Sequence, residues 1–114
     1  MRILVCGGRN FHKTDIVYTQ LEWINQTYGI EEMCQGGARG VDTIAAGWAG
    51  FMRVPNRTYP AAWYEYGKNA GPIRNKHMLE HFKPDLVVAF PGGPGTANMI
   101  KLAEGAGVDV MKVK

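Results

Sequence analysis

Residues 90–99, FPGGPGTANM, form the segment of this chain whose composition best suits it to chemistry. The segment follows an apolar run and contains three glycines, two prolines and a threonine. Glycines let backbone N–H groups approach an anion closely, and a helix that begins at Thr96 would direct its free N–H groups and positive dipole end at a phosphate. The sequence matches neither the GxxxxGK[ST] loop nor the GxGxxG fingerprint. We therefore predict a different phosphate-binding turn, formed by Gly92, Gly93, Gly95 and Thr96.

A second glycine turn, GGARGVD at residues 36–42, has a similar design and adds charged side chains. The guanidinium of Arg39 can grip a phosphate as a fork, and Asp42 can bind a ribose hydroxyl. Alternatively, Asp42 only complements the dipole at a helix start and pairs with Arg39. We favour the ligand-binding interpretation, in which the site also includes Gly36, Gly37 and Gly40.

Two further segments contribute candidate binding residues. The first apolar run ends in Gly7, Gly8 and Arg9, which places another glycine turn and a cation after a strand. In AWYEYGKNAGPIRN, residues 62–75, Trp63 can stack on a purine while Arg74 and Asn75 bind phosphate or ribose. The alternative for the aromatic residues is burial in the core or in a subunit interface, and for Trp63 the two interpretations have equal weight.

Metal and thiol chemistry have little support in the sequence. His77 and His81 match HxxEH, but such five-residue patterns are common by chance and only a short tail follows to supply a third ligand. Cys6 and Cys34 lie in apolar runs, where a free thiol behaves as a small hydrophobe. We expect no metal, no cofactor and no catalytic residue among the site residues.

The elements that position these turns follow from hydrophobic periodicity. Short apolar runs that end at glycine alternate with segments of helical spacing. The predicted strands are residues 2–6, 32–35, 56–59, 86–90 and 108–113, and the predicted helices are residues 13–28, 41–52, 69–81 and 96–104. This alternation predicts an α/β, Rossmann-like three-layer sandwich with a five-stranded parallel sheet of order 3-2-1-4-5. In such a sheet the glycine turns share one edge and flank the crevice where the winding reverses.

Length and composition indicate the number of domains and restrict the class of protein. The chain has 114 residues, 46% of them hydrophobic and 20% charged, which is typical of one folded domain spanning residues 1–114. No apolar run approaches the roughly 18 residues that span a bilayer, and the first residues do not match a signal peptide. We expect a cytoplasmic protein without a membrane partner. The net charge of +3 is compatible with nucleic acid, with a nucleotide or with solubility alone.

The motifs resemble those of the SLOG superfamily of Rossmann-like nucleotide-binding domains. GGARGVD resembles the GxARGxD signature of the DNA-processing protein DprA (Smf), and PGGPGT resembles the PGGxGTxxE motif of the LOG phosphoribohydrolases. The order of MRILVCGGR, GGARGVD, AAWYEYGKNAGPIRN and DLVVAFPGGPGT is similar to the small YspA-like, YpsA-related branch. The resemblance implies binding of nucleotides or nucleotide-derived molecules, including NAD- and ADP-ribose-derived signals.

One departure from the LOG motif bears on catalysis. The glutamate of that motif falls on Met99, whose thioether cannot replace a carboxylate. We therefore expect a non-catalytic binder that acts as a sensor or sequestering protein, and a homo-oligomer is one route by which so short a chain would signal. One alternative is a phosphoribohydrolase that uses Asp42 or Glu104. A second is single-stranded DNA binding as in DprA, which is less expected because no lysine-arginine cluster is visible.

Overall fold

The computed structural model describes all residues, 1–114, and its centre is a five-stranded parallel sheet. The strands lie in the order β3-β2-β1-β4-β5, so the predicted architecture and strand order are confirmed. Their bounds are β1 Arg2–Cys6, β2 Glu32–Gln35, β3 Asn56–Thr58, β4 Leu86–Ala89 and β5 Asp109–Lys112.

Four helices of 12 to 15 residues connect the strands, close to the predicted positions. A single-turn helix and a 3₁₀ turn, Gly67–Asn69, precede the third long helix and were not predicted. None of the helices combines the length and apolar character needed to cross a membrane. Their bounds are α1 Thr14–Tyr28, α2 Val41–Met52, α3 Trp63–Tyr66, α4 Ala70–Phe82 and α5 Pro94–Gly105.

Apolar side chains cover the sheet on both faces, which produces the three layers. Successive β1 residues alternate between the faces, as the two-residue period of a strand requires. Ile3 and Val5 belong to a cluster with the buried residues of α1 and α2. Leu4 belongs to a second cluster with the buried residues of α4 and α5. The sheet therefore holds two helices against each face.

The winding of the sheet reverses at β1, which pairs with both β2 and β4. Leu4 lies opposite Cys34 on one side and opposite Val87 on the other. The chain leaves the carboxyl ends of these parallel strands at one edge of the sheet. The crevice outside a reversal point is where open α/β sheets bind their ligands.

Candidate functional site

A cavity of about 750 Å³ lies at the predicted edge of the sheet. Its lining comes from the end of β1, from the turns that follow β1, β2 and β4, from the first turns of α2 and α5, and from the segment that includes α3 and α4. Small-molecule sites typically have volumes of roughly 300–1,000 Å³. The cavity is therefore large enough for a nucleotide.

The first turn of α5 presents free backbone donors at this cavity. The amides of Gly93, Gly95 and Thr96 form no hydrogen bond within the protein. A Cβ added at Gly93 or Gly95 would meet no atom within 4 Å, so space remains open in front of this turn. The helix begins at Pro94, two residues before the predicted Thr96, because proline is favoured at the first helical position.

Gly92 is required by the close packing of two turns. A Cβ there would overlap Thr96 Oγ1 and lie 2.7 Å from the amide nitrogen of Gly8. The amide of Gly8 donates to the carbonyl of Pro91 at 2.9 Å. The turns after β1 and β4 are thus joined to each other.

The first amide of α2, unlike those of α5, is hydrogen-bonded within the protein. The carbonyl of Gly8 accepts the amide of Val41 at 3.2 Å and that of Phe11 at 3.4 Å. Gly40 has a φ of +78°, and a Cβ there would overlap the Gly8 carbonyl oxygen. Gly40 therefore packs against the turn after β1 and does not line the cavity. The glycine turn at α5 differs in that no protein carbonyl is bonded to any amide in the first turn of its helix.

Arg74 extends from α4 into the cavity and fixes the turn after β2. Its Nη1 donates to the carbonyls of Gly36 at 2.7 Å and Tyr59 at 3.2 Å, and its Nε donates to Asn75 Oδ1 at 2.9 Å. Its Nη2 has no hydrogen-bond partner in the protein. Burial lowers the pKa of Arg74, while the charge of Asp42 opposes that shift.

Asp42 is the one carboxylate in the lining of the cavity. Its Oδ2 accepts the amides of Gly36 and Ala38, each at 3.2 Å, so it anchors the turn after β2. Burial raises the pKa of Asp42, and the amide of Ala38 and the charge of Arg74 act against that rise.

The cations of the lining outnumber this single carboxylate. Arg9, Lys68 and Arg74 all line the cavity. This excess of positive charge favours an anionic ligand.

The side chain of Asn75 links α4 to α5 through hydrogen bonds. Its Nδ2 donates to the carbonyl of Gly95 at 3.1 Å and to Asn98 Oδ1 at 3.0 Å, while its Oδ1 accepts from Arg74. Both amide protons are thus engaged within the protein. The side chain therefore positions Arg74 and the first turn of α5, and its contact with phosphate or ribose stays a prediction.

Trp63 lies outside the core, and 48% of its surface is exposed. Its ring lines the cavity, and the Cζ atom of Arg9 lies 5.3 Å from the ring centroid. Of the two interpretations left open by the sequence, the structure excludes burial in the core of this chain. A cation over an indole face is held by the ring quadrupole, so the two side chains form a defined pair.

A second cavity of about 410 Å³ adjoins the first. It contains Gly37 and Arg39, which do not line the larger cavity. Both cavities share Arg9, Trp63 and Arg74 in their walls. The larger cavity brings together the remaining predicted residues, namely Gly7, Gly8, Arg9, Gly36, Asp42, Trp63, Arg74, Asn75, Gly92, Gly93, Gly95 and Thr96.

Several lining residues had no sequence signal of their own. Lys68 lies in the 3₁₀ turn, and Asn98 lies within the FPGGPGTANM segment. Their proximity to predicted residues was the only available signal. The other polar or aromatic lining residues that were not predicted are Asn10 and Phe11.

None of the other candidate side chains lines the cavity in a form that could act as an acid, a base or a nucleophile. Met99 is completely buried in the apolar cluster with Leu4 and Val87. Glu104 is absent from the lining and pairs with Lys112 at 3.5 Å. Cys6 does line the cavity, but burial raises the pKa of its thiol to about 12, so the thiol is neutral at physiological pH.

The two histidines of the HxxEH segment form an aromatic cluster with Tyr59. The rings of His77 and His81 stack with centroids 5.3 Å apart, and His81 Nδ1 lies 2.7 Å from the hydroxyl of Tyr59. No group of three His, Cys, Asp or Glu side chains in the structure is placed to hold a metal ion.

Comparison with known proteins shows the family of the chain. Residues 1–66 match the family model described as YAcAr, the YspA, cpYpsA-related SLOG family. This chain belongs to that family. It is also 35% identical to the Gene 61 protein of Mycobacterium phage D29, over 96% of this chain and 94% of the relative.

Two solved structures share the fold at low sequence identity. The Moco carrier protein from Chlamydomonas reinhardtii matches with a TM-score of 0.64 and 20% identity, over 98% of this chain and 75% of its own. UDP-GlcNAc 2-epimerase from Neisseria meningitidis, bound to UDP-GlcNAc, matches with a TM-score of 0.58 and 17% identity. The match covers 99% of this chain and 32% of the epimerase. These similarities show the fold.

Proposed function

We propose that this protein binds a nucleotide or nucleotide-derived small molecule of the NAD or ADP-ribose type and releases it intact, as a sensor or sequestering protein. The observation that carries the proposal is the free first turn of α5, which opens onto a cavity whose cations outnumber its one carboxylate. Free helix amides and nearby cations together are the usual means of binding phosphate.

The geometry suggests a place for each part of such a ligand. A phosphate would accept the amides of Gly95 and Thr96 and the unused Nη2 of Arg74. A purine would stack on Trp63, whose ring lines the cavity and is half exposed. The fold is shared with a protein named as a carrier of Moco and with an epimerase that holds UDP-GlcNAc, which supports small-molecule binding for this chain.

The scarcity of carboxylates in the cavity supports binding without cleavage. Cleavage of an N-glycosidic bond is helped by an acid or base beside the bond, and such help is worth roughly 10²- to 10⁴-fold. In this cavity only Asp42 is available, and two backbone amides already occupy its Oδ2. The LOG-type hydrolase is therefore the second candidate, with Asp42 as its carboxylate.

We expect nucleotides to be recovered intact after incubation with the purified protein. AMP, NAD and ADP-ribose would be incubated with the protein, which would then be denatured, and the solution would be analysed by mass spectrometry. Uncleaved ligand should be released in proportion to protein. Formation of free base and ribose phosphate over many turnovers would contradict the proposal, and loss of that activity in Asp42→Asn would identify the hydrolase.

Arg74→Ala should weaken nucleotide binding by about 1.5–3 kcal/mol, or roughly 10- to 150-fold, the usual scale of a charge-assisted hydrogen bond. Arg74→Lys should recover only part of the affinity, because an ammonium cannot reproduce the planar fork. Isothermal titration calorimetry measures both effects. Circular dichroism is required alongside, because Arg74 also fixes the carbonyls of Gly36 and Tyr59. Unchanged affinity in a folded Arg74→Ala variant would contradict the site.

The proposal extends to the organisation of the protein. We propose that residues 1–114 act as one cytoplasmic ligand-binding domain that assembles as a homo-oligomer. Large apolar side chains that remain exposed on α1 and at the end of α2 support self-association, namely Trp23, Tyr28, Phe51 and Met52. Light scattering after size-exclusion chromatography measures the assembly directly.

A further inference from the structure

The segment between β3 and α4, residues 60–67, has few contacts with the rest of the chain. Every residue from Ala62 to Gly67 is exposed. Its backbone hydrogen bonds connect it to no strand and to no other helix than α4, which follows it. None of its side chains forms a hydrogen bond or an ion pair. A single helical turn is not stable by itself in water, so α3 depends on tertiary contacts to keep its place.

Trp63 links this segment to its neighbours. The Cζ atom of Arg9 lies 5.3 Å from the centroid of its ring, and a Cβ added at Gly71 would lie 3.5 Å from its Cη2 atom. Arg9 belongs to the turn after β1, so the cation–π pair connects the segment to the central part of the sheet. Such a pair is a weak contact at an exposed site, and a segment with few buried contacts can detach while the fold stays intact.

The backbone allows the segment to change direction at both ends. Gly67, which directly follows α3, has a φ of +55°, and a Cβ there would meet no atom within 4 Å. Glycine changes its dihedral angles with little steric cost. At the other end, residues 60–62 belong to no helix or strand. Hinges of moving loops are a few residues of this kind, at the ends of elements or in loops.

The segment borders both cavities and presents aromatic surface to water. Trp63 lines both cavities, and Pro60 and Ala61 line the smaller one. Tyr64 and Tyr66 lie outside both cavities, and Tyr64 is completely exposed. Movement of the segment toward a ligand would remove part of the Trp63 ring from water, which is favourable.

We infer that residues 60–67 form a lid that closes on a ligand in the cavity, with Gly67 as its hinge and the pair of Arg9 and Trp63 as the contact that holds it in the free protein. The inference rests on the proposed function, which supplies the ligand. A ligand that touches Trp63 gives the lid a contact that the free protein lacks, so binding shifts the population toward the closed lid. The lid governs entry and release of the ligand, whereas the phosphate is held at α5.

Limited digestion with chymotrypsin, with products identified by mass spectrometry, tests the lid. Cleavage after Tyr64 reports on the lid, and cleavage after Phe51, exposed in the last turn of α2 and outside both cavities, is the internal control. In the free protein we expect cleavage after Tyr64 to be at least about tenfold faster. AMP at about ten times its dissociation constant should slow cleavage after Tyr64 about tenfold by mass action, and that after Phe51 by less than about twofold.

Arg9→Ala tests the contact that holds the lid. In the free protein, the variant should be cleaved after Tyr64 about two- to fivefold faster than the parent, the scale of a cation–π contact at an exposed site. Lys13→Ala is the matched control, because Lys13 is an exposed cation of the same connection between β1 and α1 and lies outside both cavities. It should leave the rate unchanged.

Calorimetry of AMP binding to the parent, measured in parallel, separates the lid from the proposed function. If AMP binds but does not slow cleavage after Tyr64, or slows cleavage after Phe51 equally, the lid is overturned and the nucleotide site stands. Free protein that is cleaved no faster after Tyr64 than after Phe51 would also overturn the lid. An unchanged rate in Arg9→Ala would overturn the role given to the pair. A parent protein that binds no AMP would overturn the proposed function and the lid together.

Discussion

Gly95→Trp is expected to reduce nucleotide affinity by at least about 100-fold, equivalent to about 2.7 kcal/mol, because the indole would occupy the space in front of the free α5 amides. The fold should survive the substitution. A Cβ at Gly95 meets no atom within 4 Å, and replacing a helical glycine with another residue removes a backbone entropy cost. Calorimetry of AMP binding, together with thermal unfolding of the free protein, measures both effects.

Gly105→Trp provides the control at the other end of the same helix. Gly105 also has no neighbour within 4 Å of an added Cβ, and it lies outside both cavities. This variant should retain the affinity of the parent. If Gly95→Trp is folded and still binds AMP at full strength, the phosphate does not lie at α5.

Met99→Glu is expected to destabilise the protein by about 3–5 kcal/mol at neutral pH, the usual cost of an uncompensated buried charge. Met99 is completely buried among apolar side chains, so an ionised carboxylate there would lose its hydration without gaining a partner. The substitution should therefore fail to install LOG-type hydrolysis, although the motif aligns its glutamate with this position. Urea unfolding compares the variant with the parent.

The pH dependence of this variant gives a second check. Burial would raise the pKa of the new carboxyl above its unfolded value of about 4.3. A raised folded-state pKa makes the variant most stable below the unfolded pKa, and that stability is lost as the pH rises through the folded-state pKa. The difference in the free energy of unfolding between Met99→Glu and the parent should therefore become smaller as the pH is lowered. Met99→Leu should cost less than about 1.5 kcal/mol, and a Met99→Glu variant as stable as the parent would place this side chain outside the core.

The sequence was sufficient for the architecture because the two strands at the centre of the sheet carry a strong local signal. After Arg2, the residues of β1 are all apolar, as are those of β4, and both runs lead into glycine turns, as strands buried on both faces do. The right-handedness of parallel crossovers then restricted the order of the strands. The predicted bounds of all four long helices came within two residues of the observed ones.

Other features depended on contacts between distant segments, which periodicity does not encode. Gly40 was predicted to face a ligand, yet it contacts the Gly8 carbonyl, and only the folded chain brings these residues together. The 3₁₀ turn that holds Lys68 has too few residues to show a period, so the position of Lys68 could not be predicted. The burial of Met99 likewise depends on which side of α5 packs against the sheet.

The joining of the turns after β1 and β4 means that the proposed ligand site needs both halves of the chain. Residues 1–66 carry the match to the family, but Arg74 and the free amides of α5 come from later in the chain. Gly8 reaches Pro91 only after β4 has added to β1. On the proposed function, a chain that ended after residue 66 would therefore lack the phosphate site. A ligand bound there would stabilise only molecules in which α4 and α5 are folded against the sheet.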